Sequence, residues 1–318
     1  MKIIRGIGKI KKFWNPVVAL GVFDGVHRGH IQILKSAVRK ARSINGTSVV
    51  VTFWPHPQSQ ESLYSLEHRL RLISQLGINA CIVINFNKKF ANITALNFVR
   101  HILVQKIGVN EVYVGKNFRF GKDAKGDIKT LSKLALLYDF RLKAFEVISS
   151  RGILISSTYI RSLIKNGNLV VARKLLSRPV AVLGTVTRGV RLGRRLGFPT
   201  ANIDPHHEVI PPSGIYAVKV IFKGRSFLGA CYIGTRPTLN ERNIKTHIEV
   251  FIFGLNKNIY GEYLEIQFLR KIRNDRKFNS LAALAAQIEK DILKAKRLFS
   301  HPTQGIPQLL PNRLSLNH

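Results

Sequence analysis

Acidic side chains are scarce in this chain of 318 residues: 17 Asp and Glu stand against 51 Lys and Arg, a formal net charge of +34. An excess of that size ordinarily raises nucleic acid as a partner. A binder of that kind would gather its charge in an arm or block. Here residues 1–178 hold 30 basic and 8 acidic residues, and residues 179–318 hold 21 and 9, so the excess is spread. It reads as solvated surface that speeds capture of small anions, and it specifies no nucleic acid. Cysteine is nearly absent. Cys81 and Cys231 lie in separate apolar runs, ACIVINF and FLGACYIG, and read as buried free thiols of a reducing compartment, not a disulfide. No run of about 20 apolar residues occurs, which excludes a spanning helix. The basic segment MKIIRGIGKIKKFWNP lacks the apolar core and cleavage site of a secretory signal, so a cytoplasmic protein is expected. No internal repeat is present, and nothing in the pattern specifies an oligomeric state.

What is there is a globular composition, 45% hydrophobic with a mean hydropathy of +0.03, and enough length for two separate cores. Residues 17–148 alternate apolar strands with amphipathic helices: VVALGV, a helix over 29–44, SVVVTF (48–53), a helix near 66–76, ACIVINF (80–86), a helix over 94–107, EVYVG (111–115), a helix over 127–139 and RLKAFEVI (141–148). That alternation predicts a doubly wound parallel sheet, whose ligands bind beyond the carboxyl ends of the strands. Two short helices (156–165 and 168–176) follow, and at Arg178-Pro179 the pattern changes. Strands over 180–186, 214–222, 227–234, 247–253 and 263–269, with glycine-bearing connections, predict a small antiparallel barrel, and the run 280–299 a helix packed on it. The expected domains are therefore 1–178 and 179–300, followed by a loose tail over 301–318 that has three prolines and no periodicity.

The most informative segment is Gly21-Val22-Phe23-Asp24-Gly25-Val26-His27-Arg28-Gly29-His30, which turns a buried strand into a helix. Ile31, Leu34, Val38 and Ala41 lie on one face of that helix. Its opening amides and dipole point at whatever sits over the turn, glycines allow close approach, and two imidazoles above it suit the phosphates of a nucleotide. Standing alone, H-x-G-H describes a capping or surface histidine equally well. Asp24 is a turn or capping residue on one reading and a direct ligand on the other.

G-x-F-D-G-V-H-x-G-H resembles the adenylyltransferase signature of the bacterial bifunctional riboflavin kinase/FAD synthetase (FMN adenylyltransferase) family, and the resemblance runs in order over about 300 residues. It implies transfer of AMP from ATP to FMN, with pyrophosphate released, in the N-terminal half. The FMN phosphate attacks the α-phosphorus in line, so the protein supplies positioning and charge compensation. His27 and His30 would donate to the ATP phosphates, with Gly21, Phe23 and Gly29 shaping the turn. Thr52-Phe53-Trp54-Pro55-His56-Pro57 is similar to the family's T-F-x-P-H-P, which implies flavin contacts at Phe53, Pro55, His56 and Pro57; loop packing is the alternative. Val114-Gly115-Lys116-Asn117-Phe118-Arg119-Phe120-Gly121 matches V-G-x-[D/N]-F-x-F-G, which gives Asn117 an ATP role and Phe120 a flavin role; the F-R-F alternation also faintly resembles an RNA-binding strand. Ile155-Ser156-Ser157-Thr158-Tyr159-Ile160-Arg161 matches I-S-S-T-x-I-R. There Ser157 or Thr158 can cap the helix, hold phosphate, or both, with Arg161 as a forked cation.

Gly184-Thr185-Val186-Thr187-Arg188-Gly189, then Gly193 to Asn202 (GRRLGFPTAN), looks like the riboflavin kinase signature. Gly184, Arg188 and Gly193 would wrap and neutralise phosphates, along with arginines at 191, 194 and 195, although a glycine–arginine loop alone is more often a mobile basic loop. Thr200 and Asn202, two apart in an extended chain, present both oxygens on one face and can hold Mg²⁺ with the ATP phosphates. Glu249 aligns with the family's catalytic glutamate; in isolation it reads equally as a polar residue on an exposed strand. The motifs at 233–238 and 259–262 support the alignment, and after the glutamate the family's V-H-x-x-D-F is replaced by Val250, Phe251, Ile252, Phe253, Gly254 and Leu255. The implied activity is riboflavin to FMN and FMN to FAD, with ATP and Mg²⁺ used twice and no membrane or specific nucleic acid as partner. The rivals are FAD synthesis alone with a degenerate kinase barrel, another nucleotidyltransferase, and a non-enzymatic nucleic-acid binder.

Overall fold

A computed structural model of the chain describes residues 1–57, 61–150, 152–189, 192–236 and 245–300. It consists of two compact units, one of Met1–Arg178 with His207–Val209, the other of Pro179–His206 and the residues from Ile210 onward. The tail over 301–318 lies outside the described residues.

In the first unit the elements run β1 (Lys2–Arg5), β2 (Val17–Leu20), α1 (Arg28–Ser43), β3 (Ser48–Trp54), α2 (Leu66–Ser74), β4 (Ala80–Asn85), α3 (Lys88–Ala91), α4 (Ala95–Asn97) leading into a π-helix (Phe98–Ile107), β5 (Glu111–Gly115), α5 (Ile128–Leu137), β6 (Arg141–Phe145), a hairpin of β7 (Ser149–Ser150) and β8 (Ile153–Leu154), α6 (Ser157–Lys165) and α7 (Leu169–Leu176). The sheet order is β1-β4-β3-β2-β5-β6, all parallel. The central strand β2 is buried at every residue, as the unbroken apolar run Val17–Leu20 requires of a strand covered on both faces. The order reverses between β2 and β5, so the crevice beyond their carboxyl ends is the place for a ligand. Two local differences from the sequence reading stand out. Edge strand β1 buries only Ile4, too little apolar pattern to read as a strand. The helix expected over 94–107 is α only over Ala95–Asn97 and π over Phe98–Ile107, and it buries Phe98, Val99, Ile102, Leu103 and Ile107.

The second unit holds β9 (Val180–Thr187), a short turn of helix α8 (Leu192–Arg195), β10 (Ala201–Asp204), β11 (Gly214–Phe222), β12 (Arg225–Arg236), β13 (Lys245–Ile252), β14 (Tyr263–Arg273) and α9 (Leu281–Ser300). The strands close an antiparallel barrel in the order β10-β13-β12-β11-β14-β9. Closure leaves no free sheet edge. α9 covers one side of the barrel through Ala295, Leu298 and Phe299, which pack with Ile215, Ala217 and Phe253.

Glu208, in the three-residue segment that belongs to the first unit, is fully used there. Its Oε1 accepts from the Ser65 N–H at 2.9 Å and from Ser65 Oγ at 2.7 Å, and its Oε2 lies 3.0 Å from His68 Nδ1, all of them buried. Ser65 is also the N-cap of α2, so the carboxylate fixes the start of that helix. Glu208→Ala leaves buried donors unmade and should destabilise the first unit by about 1–3 kcal/mol. A melting temperature unchanged from wild type by calorimetry would contradict this.

Candidate active sites

In the first unit, a cavity of about 630 Å³ opens at the β2/β5 crevice, lined by Gly21, Phe23, Asp24, His27, Gly29, His30, His56, Asn117, Phe118, Ser157, Thr158 and Arg161 among others. Four sequence segments spread between residues 20 and 161 thus meet at one place. The rings of His27 and His30 stack with centroids 3.6 Å apart. Gly29 permits this, because a Cβ there would press on the His27 ring at 3.3 Å. α1 begins at His27 with no side-chain cap, which leaves its first amides for a ligand.

Asp24 resolves as a buried hub. Its carboxylate accepts from the Leu63 N–H at 2.9 Å and from Tyr64 N–H at 3.4 Å, and pairs with Arg161 Nη2 at 3.3 Å. The helix cap falls to neither Ser157 nor Thr158: Ser156 Oγ accepts from the Tyr159 N–H at 3.2 Å. Ser157 Oγ instead donates to the Asp24 carbonyl at 2.8 Å, which pins α6 to the turn after β2, and Thr158 is left facing the cavity.

The electrostatics are those of neutral imidazoles among cations. Burial first and the nearby Arg178 second push His27 down to about 4 from the usual 6.5. Burial, then His27, Arg69 and Arg178, hold His30 well below its usual value. His56 is also lowered, by burial ahead of the opposing pull of Asp24. Among the described residues, His27 Nδ1, His30 Nδ1 and the Nε atoms of Arg161 and Arg178 are buried with no hydrogen-bond partner. Such groups are costly to leave unmade, and His27, His30 and Arg161 among them line this one cavity.

Four of the expected residues lie off this cavity. Phe53 belongs to the core, in ring contact with Phe86 and Phe90, because its position on β3 points it into the sheet–helix layer. Phe120 is buried behind Phe118, the two rings stacked 5.6 Å apart, and Phe118 is the one at the cavity. Pro55 and Pro57 flank His56 without lining it.

In the second unit two cavities meet at Thr200. One, about 520 Å³, is lined by Val186, Gly189, Thr200, Asn202, Asn256 and Lys257 among others. The other, about 310 Å³ and mostly apolar, is walled by Phe198, Tyr232, Glu249, Phe251, Phe278 and Leu284 among others. Thr200 Oγ1 donates to Glu249 Oε2 at 3.1 Å, and Asn202 sits directly opposite Glu249 in the β10–β13 ladder. Gly189 leaves room for the Asn202 side chain, since a Cβ would fall 2.1 Å from its amide and displace it. Gly193 lies against Thr200, on the apolar side. Gly184 is in the barrel wall, where a Cβ would meet Ile203 at 2.3 Å, so its glycine serves the β9–β10 approach. Arg188 is exposed beyond β9 and lines neither cavity. Residue 191 and residues 237 and 238 of the 233–238 motif lie outside the described residues. Phe251 takes an aromatic place in the apolar wall, 6.0 Å from Phe198.

The FAD synthetase family model matches residues 10–159 and the riboflavin kinase model residues 176–299. The bifunctional riboflavin kinase/FMN adenylyltransferase of Escherichia coli K12 is 36% identical over 309 residues, covering 94% of this chain and 98% of its own length. The chain belongs to the bifunctional riboflavin kinase/FMN adenylyltransferase family. The Bacillus subtilis relative is 36% identical over 301 residues, with 90% and 93% covered. A crystal structure described as a macrolide-efflux protein from Streptococcus pneumoniae has a TM-score of 0.79 at 28% identity, covering 95% of this chain and 99% of that one. No helix among the described residues is long and apolar enough to cross a membrane.

Sequence reasoning missed two arginines of the FAD synthetase half. Arg69 is fully buried, its Nη1 donating to the Val22 carbonyl at 2.8 Å. Its sequence signal is an arginine among Leu66, Leu70 and Ile73 on the apolar face of α2. Arg178 marks only a pattern change in the sequence. In the kinase half, Tyr232 and the α9 residues of the apolar wall were read as barrel and helix alone, and Phe278 fell in no expected element.

The depressed His27 has a measurable consequence. The unfolded chain takes up its proton near pH 6.5 and the folded one only near 4, so the stabilising contribution is complete above 6.5 and is lost as pH falls through that window. Wild-type melting temperature should fall more steeply across it than that of His27→Gln. Parallel slopes would mean that the imidazole is not buried in neutral form.

Proposed function

We infer that this chain phosphorylates riboflavin to FMN in the barrel unit and adenylylates FMN to FAD in the parallel-sheet unit, with one ATP consumed at each step. The observation that carries the reading is that each family signature folds around its own cavity, one lined by unpartnered imidazole and guanidinium nitrogens, the other pair flanking a Thr–Glu hydrogen bond.

For FAD formation, an FMN phosphate oxygen attacks the α-phosphorus of ATP, and the bond to pyrophosphate breaks as that group leaves. His27 and His30, neutral and each able to donate one hydrogen bond, receive the phosphates together with the first amides of α1 and the Arg161 fork held by Asp24. Thr158 and Asn117 bind ATP from the far side. Phe118 and His56 are the flavin-side contacts that the cavity supports in place of Phe53 and Phe120.

For FMN formation, the riboflavin ring lies in the apolar cavity and ATP in the polar one, so the 5′-hydroxyl meets the γ-phosphorus near Thr200. Glu249 takes the hydroxyl proton while the bond to ADP breaks, and the hydrogen bond from Thr200 orients its carboxylate. The oxygen donors Thr200 and Asn202 suit Mg²⁺, which needs few protein ligands beside ATP phosphate and water. Among the described residues there is no cluster of three acidic, His or Cys side chains to prefer another ion. When bound, the ion neutralises phosphate charge. Phe251 keeps the apolar wall intact, which favours a working kinase over a degenerate barrel. Two buried thiols and dependence on ATP fit a cytoplasmic location.

Purified protein with riboflavin, ATP and Mg²⁺ should yield FMN and then FAD by chromatography; FAD from supplied FMN but no FMN from riboflavin would leave FAD synthesis alone. His27→Ala or His30→Ala should cut FAD formation by about 10²–10³-fold and spare FMN formation. Equal loss of both activities in a folded variant would refute separate sites. Glu249→Gln should do the reverse: strongly reduced FMN formation, with riboflavin still bound and FAD still made from FMN. Full kinase turnover in that variant would remove Glu249 as the base.

A further inference from the structure

The turn that aims His27 is strained. Within four residues Phe23 has φ +53°, Gly25 φ +79° and Val26 φ +39°. Glycine adopts such values freely, but a β-branched valine does so rarely. Gly25 is also fixed sterically, since a Cβ there would stand 2.5 Å from Leu63 Cδ1. Conformations of this kind persist only where surrounding contacts over-determine them, and they gather at functional sites.

The contacts come from two sides. Asp24 ties the turn to Leu63 and Tyr64 through its carboxylate. From the other side Arg178 reaches back across the unit: Nη1 donates to the Val26 carbonyl at 2.8 Å and to Leu176 at 3.0 Å, and Nη2 donates to the Gly25 carbonyl. The two turn carbonyls it grips belong to the two residues immediately before His27. Its guanidinium lies 5.2 Å over the Tyr64 ring, which Asp24 holds in place. A planar fork meets this demand where a single ammonium cannot.

Resting on the adenylyl-transfer reading of this cavity, we propose that Arg178 is a positioning residue of FAD formation, which clamps the strained turn so that His27 meets the phosphates. It lies past the last residue matched by the FAD synthetase model and inside the span matched by the riboflavin kinase model. Its charge has a second effect. Behind burial, the main cause for both rings, Arg178 contributes to lowering His27 and, after His27 and Arg69, to lowering His30.

The test uses the full chain as wild type, Arg178→Gln and Arg178→Lys. Arg178→Gln should lower kcat for FAD formation from FMN by about 10²-fold with a smaller change in KM, while riboflavin phosphorylation in the same preparation stays within about twofold. NMR titration of the imidazoles should show the His27 midpoint rising from about 4. Arg178→Lys keeps the charge but not the fork, so its His27 midpoint should stay low while FAD formation still falls. An unchanged kcat for FAD formation in Arg178→Gln, or parallel loss of both activities in the folded protein, overturns the proposal. If Arg178→Gln does not fold, full FAD synthesis by Arg178→Lys overturns it. Wild type that makes no FAD from FMN would defeat the adenylyl-transfer reading instead, and the His27 titrations would still report whether the clamp exists.

Discussion

The Asp24 carboxylate is the contact through which the cavity proposed for adenylyl transfer is assembled. It is almost completely buried, in a chain where acidic groups are few, and its oxygens are shared between the amides at Leu63 and Tyr64 and the Arg161 guanidinium. An uncompensated charge at that depth would be costly, so these three segments keep their places together or not at all. Ser157 adds a hydrogen bond to the Asp24 main chain, which draws α6 onto the same point. A parallel sheet provides the crevice, but what gives the crevice its chemistry is this one anion collecting cations around it.

The barrel reaches a comparable result with less charge. Its proposed reacting centre pairs the Thr200 hydroxyl, just before β10, with the Glu249 carboxylate of β13 through one hydrogen bond, with an apolar chamber on one side and a polar one on the other. Closure of the strands sets that register, since Asn202 and Glu249 are cross-ladder partners whose positions follow from pairing and not from a loop. The aromatic substitution at Phe251 sits in the apolar wall, where it changes the lining and leaves the Thr200–Glu249 pair untouched.

The sequence carried the fold class and the meeting of distant motifs well, because apolar periodicity and strand–helix alternation express burial directly. It carried less about which atoms of a motif face the ligand. Phe53 and Phe120 belong to motif segments, yet the pleat and a two-residue offset direct their rings into the core, and Phe118 and His56 face the opening instead. The cap of α6 moved by one residue to Ser156 for a similar reason: several hydroxyls compete locally, and only the three-dimensional path of the turn after β2 decides among them. Arg69, Arg178 and Glu208 were invisible in their roles because each acts through contacts at long sequence separation, for which a linear pattern has no term.

The stacked histidines near Arg178 also bear on ionic strength. Dissolved salt weakens attraction between exposed charges over roughly 8–10 Å, so the spread positive surface of this chain draws in anionic nucleotides less well as salt rises. A hydrogen bond from an uncharged, buried imidazole is little affected by that atmosphere. On the proposed phosphate role of these histidines, encounter and recognition therefore respond to salt separately: the approach of the substrate slows, while the grip on its phosphates at the turn after β2 is largely preserved.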